Sequence, residues 1–297
     1  MRVAVHSVDG RSFPNLALMR ISAWHKKQGD DVEWFVPLKM YDRVYASKIF
    51  TFTPDDMYLP SDAIKGGTGY NPTSMLPPEI ETMSPDYTIY PQFEAAYGFL
   101  TRGCPNKCPW CVVPEKEGAI RAVADIEDIC STNTGFRHRA ILMDNNFLAA
   151  PLDFCAKQVE KMNRLKIKVD FNQGTDARLY DDDRARIMAR VPWISAARLA
   201  CDTDEMLPFC TAAMSRLRRF GFRKDIIVYV LAKNGSIESA LHRIYGLMAA
   251  DRRAVPFVMP FRSLTDASVL PSPELRRLAR WCNRAWIRKK CKFEDYK

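Results

Sequence analysis

A chain of 297 residues that is 47% hydrophobic can bury a large core in one big domain or two ordinary ones, and no stretch approaches the roughly 18 uninterrupted apolar residues of a membrane span. Nine cysteines, an odd number with three of them inside eight residues, argue against a disulfide scaffold and for a reduced compartment with a metal site. The formal net charge of +9 leaves an anionic partner open without requiring one.

The opening Met1-Arg2-Val3-Ala4-Val5-His6 reads as a first strand and not as a signal peptide, so the expected location is cytoplasmic. Phe13, Leu16, Ala17, Ile21 and Trp24 follow at helical spacing, Gly29 and Asp30 close that helix, and residues 32–36 resume an extended pattern. A third strand is expected over 44–52. Pro54, Pro60, Gly66, Gly67, Gly69, Pro72, Pro77 and Pro78 then break regular structure into a long irregular connection, with a short strand expected over 88–90. The run Gly66-Gly67-Thr68-Gly69 lacks the following Lys and Ser or Thr of a phosphate loop and reads as a flexible turn, or as a lid.

From Ala95 the chain alternates short apolar runs with helical stretches, which predicts parallel α/β layers. The expected strands cover 96–100, 140–143, 169–172, 195–199, 226–231 and 256–259. Helices are expected over 152–165, 181–190, 205–220 and 237–250. Ligands of parallel α/β proteins gather at the carboxyl ends of the strands. The polar residues there include Asp144, Asn145, Asn146, Gln173, Asp176, Arg178, Asp202 and Lys233.

Directly after the 96–100 strand comes Cys104-Pro105-Asn106-Lys107-Cys108-Pro109-Trp110-Cys111, a C-x3-C-x2-C spacing whose prolines stiffen a short loop and make the thiols converge. A four-iron cluster bound by three cysteines keeps one iron free for a ligand, as a catalytic zinc keeps an open position. A zinc knuckle completed by Cys130 or His138, or thiols without metal, are the other readings of the same residues.

The motif resembles the cluster loop of the radical S-adenosylmethionine (radical SAM) enzymes, in which an aromatic residue commonly precedes the third cysteine as Trp110 does here. That resemblance implies a partial six-stranded (β/α) barrel and one 4Fe-4S cluster on Cys104, Cys108 and Cys111. It also implies S-adenosylmethionine chelated to the free iron, and a reductant such as flavodoxin or ferredoxin. One electron would then split the sulfur–carbon bond, and a 5′-deoxyadenosyl radical would take hydrogen from the substrate. Trp110 would lie near the adenine.

The family often has Gly-Gly-Glu at the second strand end to meet the methionine ammonium. Here Asp144-Asn145-Asn146 stands instead, so Asp144 and Asn146 are candidates, with an Asx turn capping the next helix as the alternative. Gln173, Asp176 and Arg198 are candidates for ribose or carboxylate contacts, although Asp176 and Arg178 could pair with each other. No residue is singled out as catalytic.

Residues 1–90 resemble the small Rossmann-like module of the cobalamin-binding subgroup. No Asp-x-His-x-x-Gly occurs around the histidines at 6, 25, 138 and 242, which argues against cobalamin. The first cysteine is Cys104, so no second cluster is expected there. Residues 273–297 hold nine Lys or Arg against Glu274, Glu294 and Asp295, which leaves +6 and suits either a nucleic acid or a solvated helix face. Leu275, Leu278, Ala279, Cys282, Ala285 and Trp286 form the apolar stripe of that helix, with Arg276, Arg277, Arg280 and Arg284 turned away.

The expected architecture is therefore α/β throughout: a cobalamin-domain-like module over 1–90, a partial barrel over 91–265 and a basic helical extension over 266–297. The expected activity is radical chemistry on an unidentified substrate, with a nucleic acid or nucleotide among the candidates. The alternative is a nucleic-acid-associated protein with a structural metal site.

Overall fold

The computed structural model describes residues 1–264 and 266–297; Thr265, the expected boundary of the extension, lies outside the described residues. The protein is mixed α/β with parallel sheets. None of the described helices is long and apolar enough to cross a membrane.

The first sheet contains β1 (Arg2–Ser7), β2 (Asp31–Trp34), β3 (Arg43–Ser47) and β4 (Ile64–Gly66) in the order β2-β1-β3-β4, all parallel. Val3, Ala4 and Val5 are consecutive and fully buried, as a central strand covered on both faces requires. Helix α1 (Leu16–Lys27) starts later than the spacing suggests. Asn15 takes the cap position, its side chain accepting from the Leu18 amide at 3.2 Å, and Phe13 is left in solvent.

Three further expectations are corrected in this region. The third strand stops at Ser47 because the Asp9 carboxylate draws the Ile49 amide and the Thr53 hydroxyl into a turn. A three-residue strand at Ile64–Gly66, too short to show a period, pairs with β3. Tyr87–Ile89 is a 3₁₀ turn and not a strand, because the buried Asp86 accepts from the Thr88 amide and hydroxyl and from Ser22, Lys26 and Asn133.

The second region has six parallel strands: β5 (Ala96–Gly98), β6 (Arg139–Leu142), β7 (Lys168–Phe171), β8 (Ala197–Ala200), β9 (Ile226–Ala232) and β10 (Ala254–Pro260). They form two three-stranded sheets, β5-β6-β7 and β8-β9-β10, joined by parallel bridges at Val169–Trp193 and Thr175–Leu199. Spatial neighbours follow chain order throughout. The crossover helices are α2 (Leu152–Arg164), α3 (Asp182–Ala189), α4 (Leu207–Arg219) and α5 (Ile237–Ala250). A continuous core from Ala96 to Phe293 fills this region, and a smaller one from Val3 to Tyr90 lies under the first sheet.

Helix α6 (Pro273–Asn283) is capped by Ser272 and buries Leu275, Leu278, Trp281 and Cys282. Asn283 docks it on the edge of β10, accepting from the Val258 amide at 2.7 Å and donating to its carbonyl at 3.0 Å. The predicted stripe is corrected at its end. The backbone breaks at Arg284, so Ala285 and Trp286 face solvent, while Trp281 and Ile287 take the buried positions. Arg276, Arg280 and Arg284 are exposed.

Candidate functional site

The cysteine loop is a closed excursion. Thr101–Arg102 pairs antiparallel with Arg121–Ala122, and the Cys104 amide donates to the Gly118 carbonyl at 3.1 Å. Gly103 sits at φ +86°, and a Cβ there would lie 2.2 Å from the Ala119 carbonyl oxygen, so the position before the first cysteine accepts glycine alone. Gly103→Ala is expected to cost about 2–4 kcal/mol, combining a left-handed backbone with a backbone clash. Urea unfolding measures it, and a loss below about 0.5 kcal/mol would contradict so tight a loop.

Three consecutive side chains at the end of β6 hold this loop in place. Asp144, buried, accepts from the amides of Leu100 at 3.1 Å and Thr101 at 2.7 Å and from the Thr101 hydroxyl at 2.7 Å. Asn145 accepts from the Gly103 amide at 3.0 Å, and the Asn146 amide group donates to the Cys104 sulfur at 3.4 Å. Residues 144–146 are thus matched in order to residues 100–104. Burial pushes the Asp144 carboxyl up to about 6, against the hydrogen bonds from Thr101 and Leu100 that favour its charged form. Its oxygens are occupied by the loop, and it does not cap the following 3₁₀ turn.

Cys104 and Cys108 are half-buried and Cys111 is exposed. Burial raises the Cys108 and Cys111 thiols; Cys104 and Asp202 push both the same way, while Arg178 opposes the shift at Cys108. The three sulfurs therefore share one electrostatic neighbourhood. Among the described residues no group of three His, Cys, Asp or Glu side chains is drawn together tightly enough for a single ion. Cys130 is buried, its thiol pushed up to about 12 by burial, and His138 faces the Leu165 carbonyl at the amino end of β6.

Around the loop, Asn106 donates to Asp176 at 2.7 Å, and Asn146 reaches the same oxygen at 3.4 Å. Asp176 also receives two bonds from the Arg178 guanidinium, both at 2.8 Å, and one from the Arg178 amide at 3.1 Å. Burial works against ionising Asp176, but the bonds from Arg178 and Asn106 outweigh it and hold the carboxyl below its ordinary value. Asn146 keeps its Oδ1 buried without a partner. Because its amide nitrogen already faces a sulfur and a carboxylate, the orphan atom is an acceptor awaiting a donor. Trp110 stands between two strand ends: its side chain interacts with Asp202 beyond β8, and the Lys233 ammonium beyond β9 stands 5.1 Å from its ring centre.

No protein-family model and no curated protein matches this chain.

The structure therefore gathers Cys104, Cys108, Cys111, Trp110, Asn146 and Asp176, and sets Asp144 just behind them. Gln173 does not join: it is exposed and reaches Asn172 at 3.4 Å. Arg198 is engaged elsewhere, forking onto Asp170 at 2.6 and 2.5 Å and donating to the Tyr229 hydroxyl at 2.9 Å. Asn106 is the participant that the sequence reading does not single out, and Asn145, named with the strand-end polar residues, is not among the candidate contacts. Their neighbours in the cysteine and Asp-Asn-Asn motifs were the only signal available.

Proposed function

We propose that this chain is a radical SAM enzyme holding one 4Fe-4S cluster on Cys104, Cys108 and Cys111. The observation that carries the reading is the placement of all three thiols on one closed loop at the carboxyl ends of parallel strands that follow chain order. That order is the one a partial (β/α) barrel would have, whereas the order of a doubly wound sheet reverses at a switch point, and this supports the reading. The β2-β1-β3-β4 order supports reading residues 1–90 as a Rossmann-like module ahead of the barrel.

When bound, the cluster and S-adenosylmethionine supply a 5′-deoxyadenosyl radical able to remove hydrogen from a substrate. The chain's own residues bind and orient. The Asn146 Oδ1, buried and without a partner among the described residues, would accept from the methionine ammonium. Asp176, kept ionised by Arg178 and Asn106, accepts from ribose hydroxyls. Trp110, fixed between Asp202 and Lys233, flanks the adenine. Arg198 reaches the cofactor only by giving up Asp170. The exposed arginines of α6 favour an anionic substrate such as a nucleic acid or nucleotide.

Anaerobic reconstitution of the full chain with iron and sulfide, followed by reductant and S-adenosylmethionine, tests the reading. Formation of 5′-deoxyadenosine that depends on the reductant is expected. Selective uptake of zinc in place of iron would instead favour a structural metal site.

A further inference from the structure

A cavity of about 520 Å³ opens at the carboxyl ends of β3 and β4, between α1 and the part of the cysteine loop that carries Arg102 and Lys116. The strand order puts the switch point of the first sheet between β1 and β3, and the cavity lies on its β3 and β4 side. Asn15, Ser47 and Thr68 line it from the first region, and Phe99, Lys116 and Met143 close it from the second. The remaining wall is largely apolar, with Leu16, Ile21, Ile64, Met75, Leu76 and Ile80 prominent. Both the volume, inside the roughly 300–1,000 Å³ of small-molecule sites, and the apolar wall with few polar groups suit a small ligand.

The charges at one end of the cavity do not cancel. Glu81 bridges the guanidinium groups of Arg20 and Arg102, and Arg102 also forks onto Glu117 at 2.7 and 2.6 Å. Two carboxylates are thus consumed by two arginines. Lys116, half-buried, has the Thr68 hydroxyl at 3.3 Å as its polar partner and forms no ion pair among the described residues. Burial is the main influence on its ammonium and lowers its pKa. The Nε of Arg20 is also buried without a partner. Of the lysines in the lining, Lys65 is exposed to solvent, whereas the half-buried Lys116 and the Arg20 N–H stand unanswered beside a largely apolar wall, a costly arrangement in the absence of an anion.

The turn carrying Thr68 is built to this purpose geometrically. Gly67 has φ +93°, and a Cβ there would lie 2.4 Å from the Lys48 carbonyl oxygen, so the backbone packs flat against the end of β3 and leaves the Thr68 hydroxyl beside Lys116. The turn read as flexible or as a lid is a tightly packed piece of the cavity wall.

We infer that this cavity binds a small molecule with an apolar body and a single anionic group, a carboxylate or a phosphate, which pairs with Lys116. Nothing in the site requires metal at the three cysteines, so it stands or falls separately from the cluster.

Fluorescence titration of the full chain tests the inference with two probes that differ by one charged group, 8-anilinonaphthalene-1-sulfonate and neutral N-phenyl-1-naphthylamine. Saturable binding of the sulfonate at one site per chain is expected. Lys116→Met should weaken the sulfonate about tenfold or more and change the neutral probe less than about twofold, while Lys116→Arg keeps most of the affinity. Leu76→Trp, which fills the cavity, should weaken both. Unchanged sulfonate affinity in Lys116→Met, or unchanged binding of both probes in Leu76→Trp, would overturn the assignment. Melting curves of each variant verify folding, and Lys116 belongs to neither buried core, so it can be replaced without loss of the core. Displacement of the sulfonate by 1-naphthaleneacetate or by 1-naphthyl phosphate distinguishes the two anions, and displacement by neither would count against the site.

Discussion

In a Cys111→Ala chain, iron retained after anaerobic reconstitution is expected to fall from about four atoms per chain to below about one. The rate of 5′-deoxyadenosine formation should fall to background with it. Cys111 is the most exposed of the three thiols and has no neighbouring cysteine to replace it, since the next, Cys130, is buried in a separate helix. Two thiolates on a loop leave two irons open to solvent, where the cluster is lost. Cys155→Ala serves as the control: that thiol is buried on α2 against the Phe147 carbonyl and is not on the cysteine loop, so iron content should not change. Metal analysis decides the matter, and full iron retention in Cys111→Ala would remove the basis for the proposed cluster.

Asp144→Ala is expected to destabilise the protein by about 3–5 kcal/mol, because two buried amides and a hydroxyl lose their acceptor together. The sign of the pH dependence follows from burial. With the folded carboxyl up at about 6 and the ordinary value at 3.8, the folded state binds the proton more tightly. Stability from this group is therefore fully present below the ordinary value and is lost as pH rises to about 6, by about 3 kcal/mol in all. Urea unfolding at several pH values between 4 and 7 should show this downward slope in the native chain and its loss in Asp144→Ala. Equal slopes in the two proteins would show that Asp144 titrates as an ordinary carboxyl. The variant should also load iron poorly, since Asp144 fixes Leu100 and Thr101 just ahead of Cys104.

Most of the regular structure could be read along the chain. The buried runs of β1, β6, β7 and β9 and the 3.6-residue spacing of α2, α4 and α5 are set by local composition, since each element must bury one face or both. Failures cluster where a single side chain overrides that pattern. Asp86 folds residues 87–89 into a turn and Asp9 ends β3 early, while a backbone break at Arg284 ends the apolar stripe before Trp286.

The same division holds at the candidate site. The C-x3-C-x2-C spacing and its position after a strand are local facts, and the sequence alone determined that Cys104, Cys108 and Cys111 share one loop. Only the tertiary structure decided what the strand ends do with it. Asp144, Asn145 and Asn146 grip residues 100–104, Asp176 gathers Asn106 and Arg178, Arg198 turns to Asp170, and Gln173 turns to solvent. Hydrogen-bond partners separated by 30 to 70 positions leave no local pattern, because each polar side chain can satisfy itself in several ways until packing removes all but one. The unpaired Lys116 is the clearest instance. Its sequence neighbour Glu117 suggests an ion pair, yet the fold gives that carboxylate to Arg102 and leaves the lysine facing the cavity.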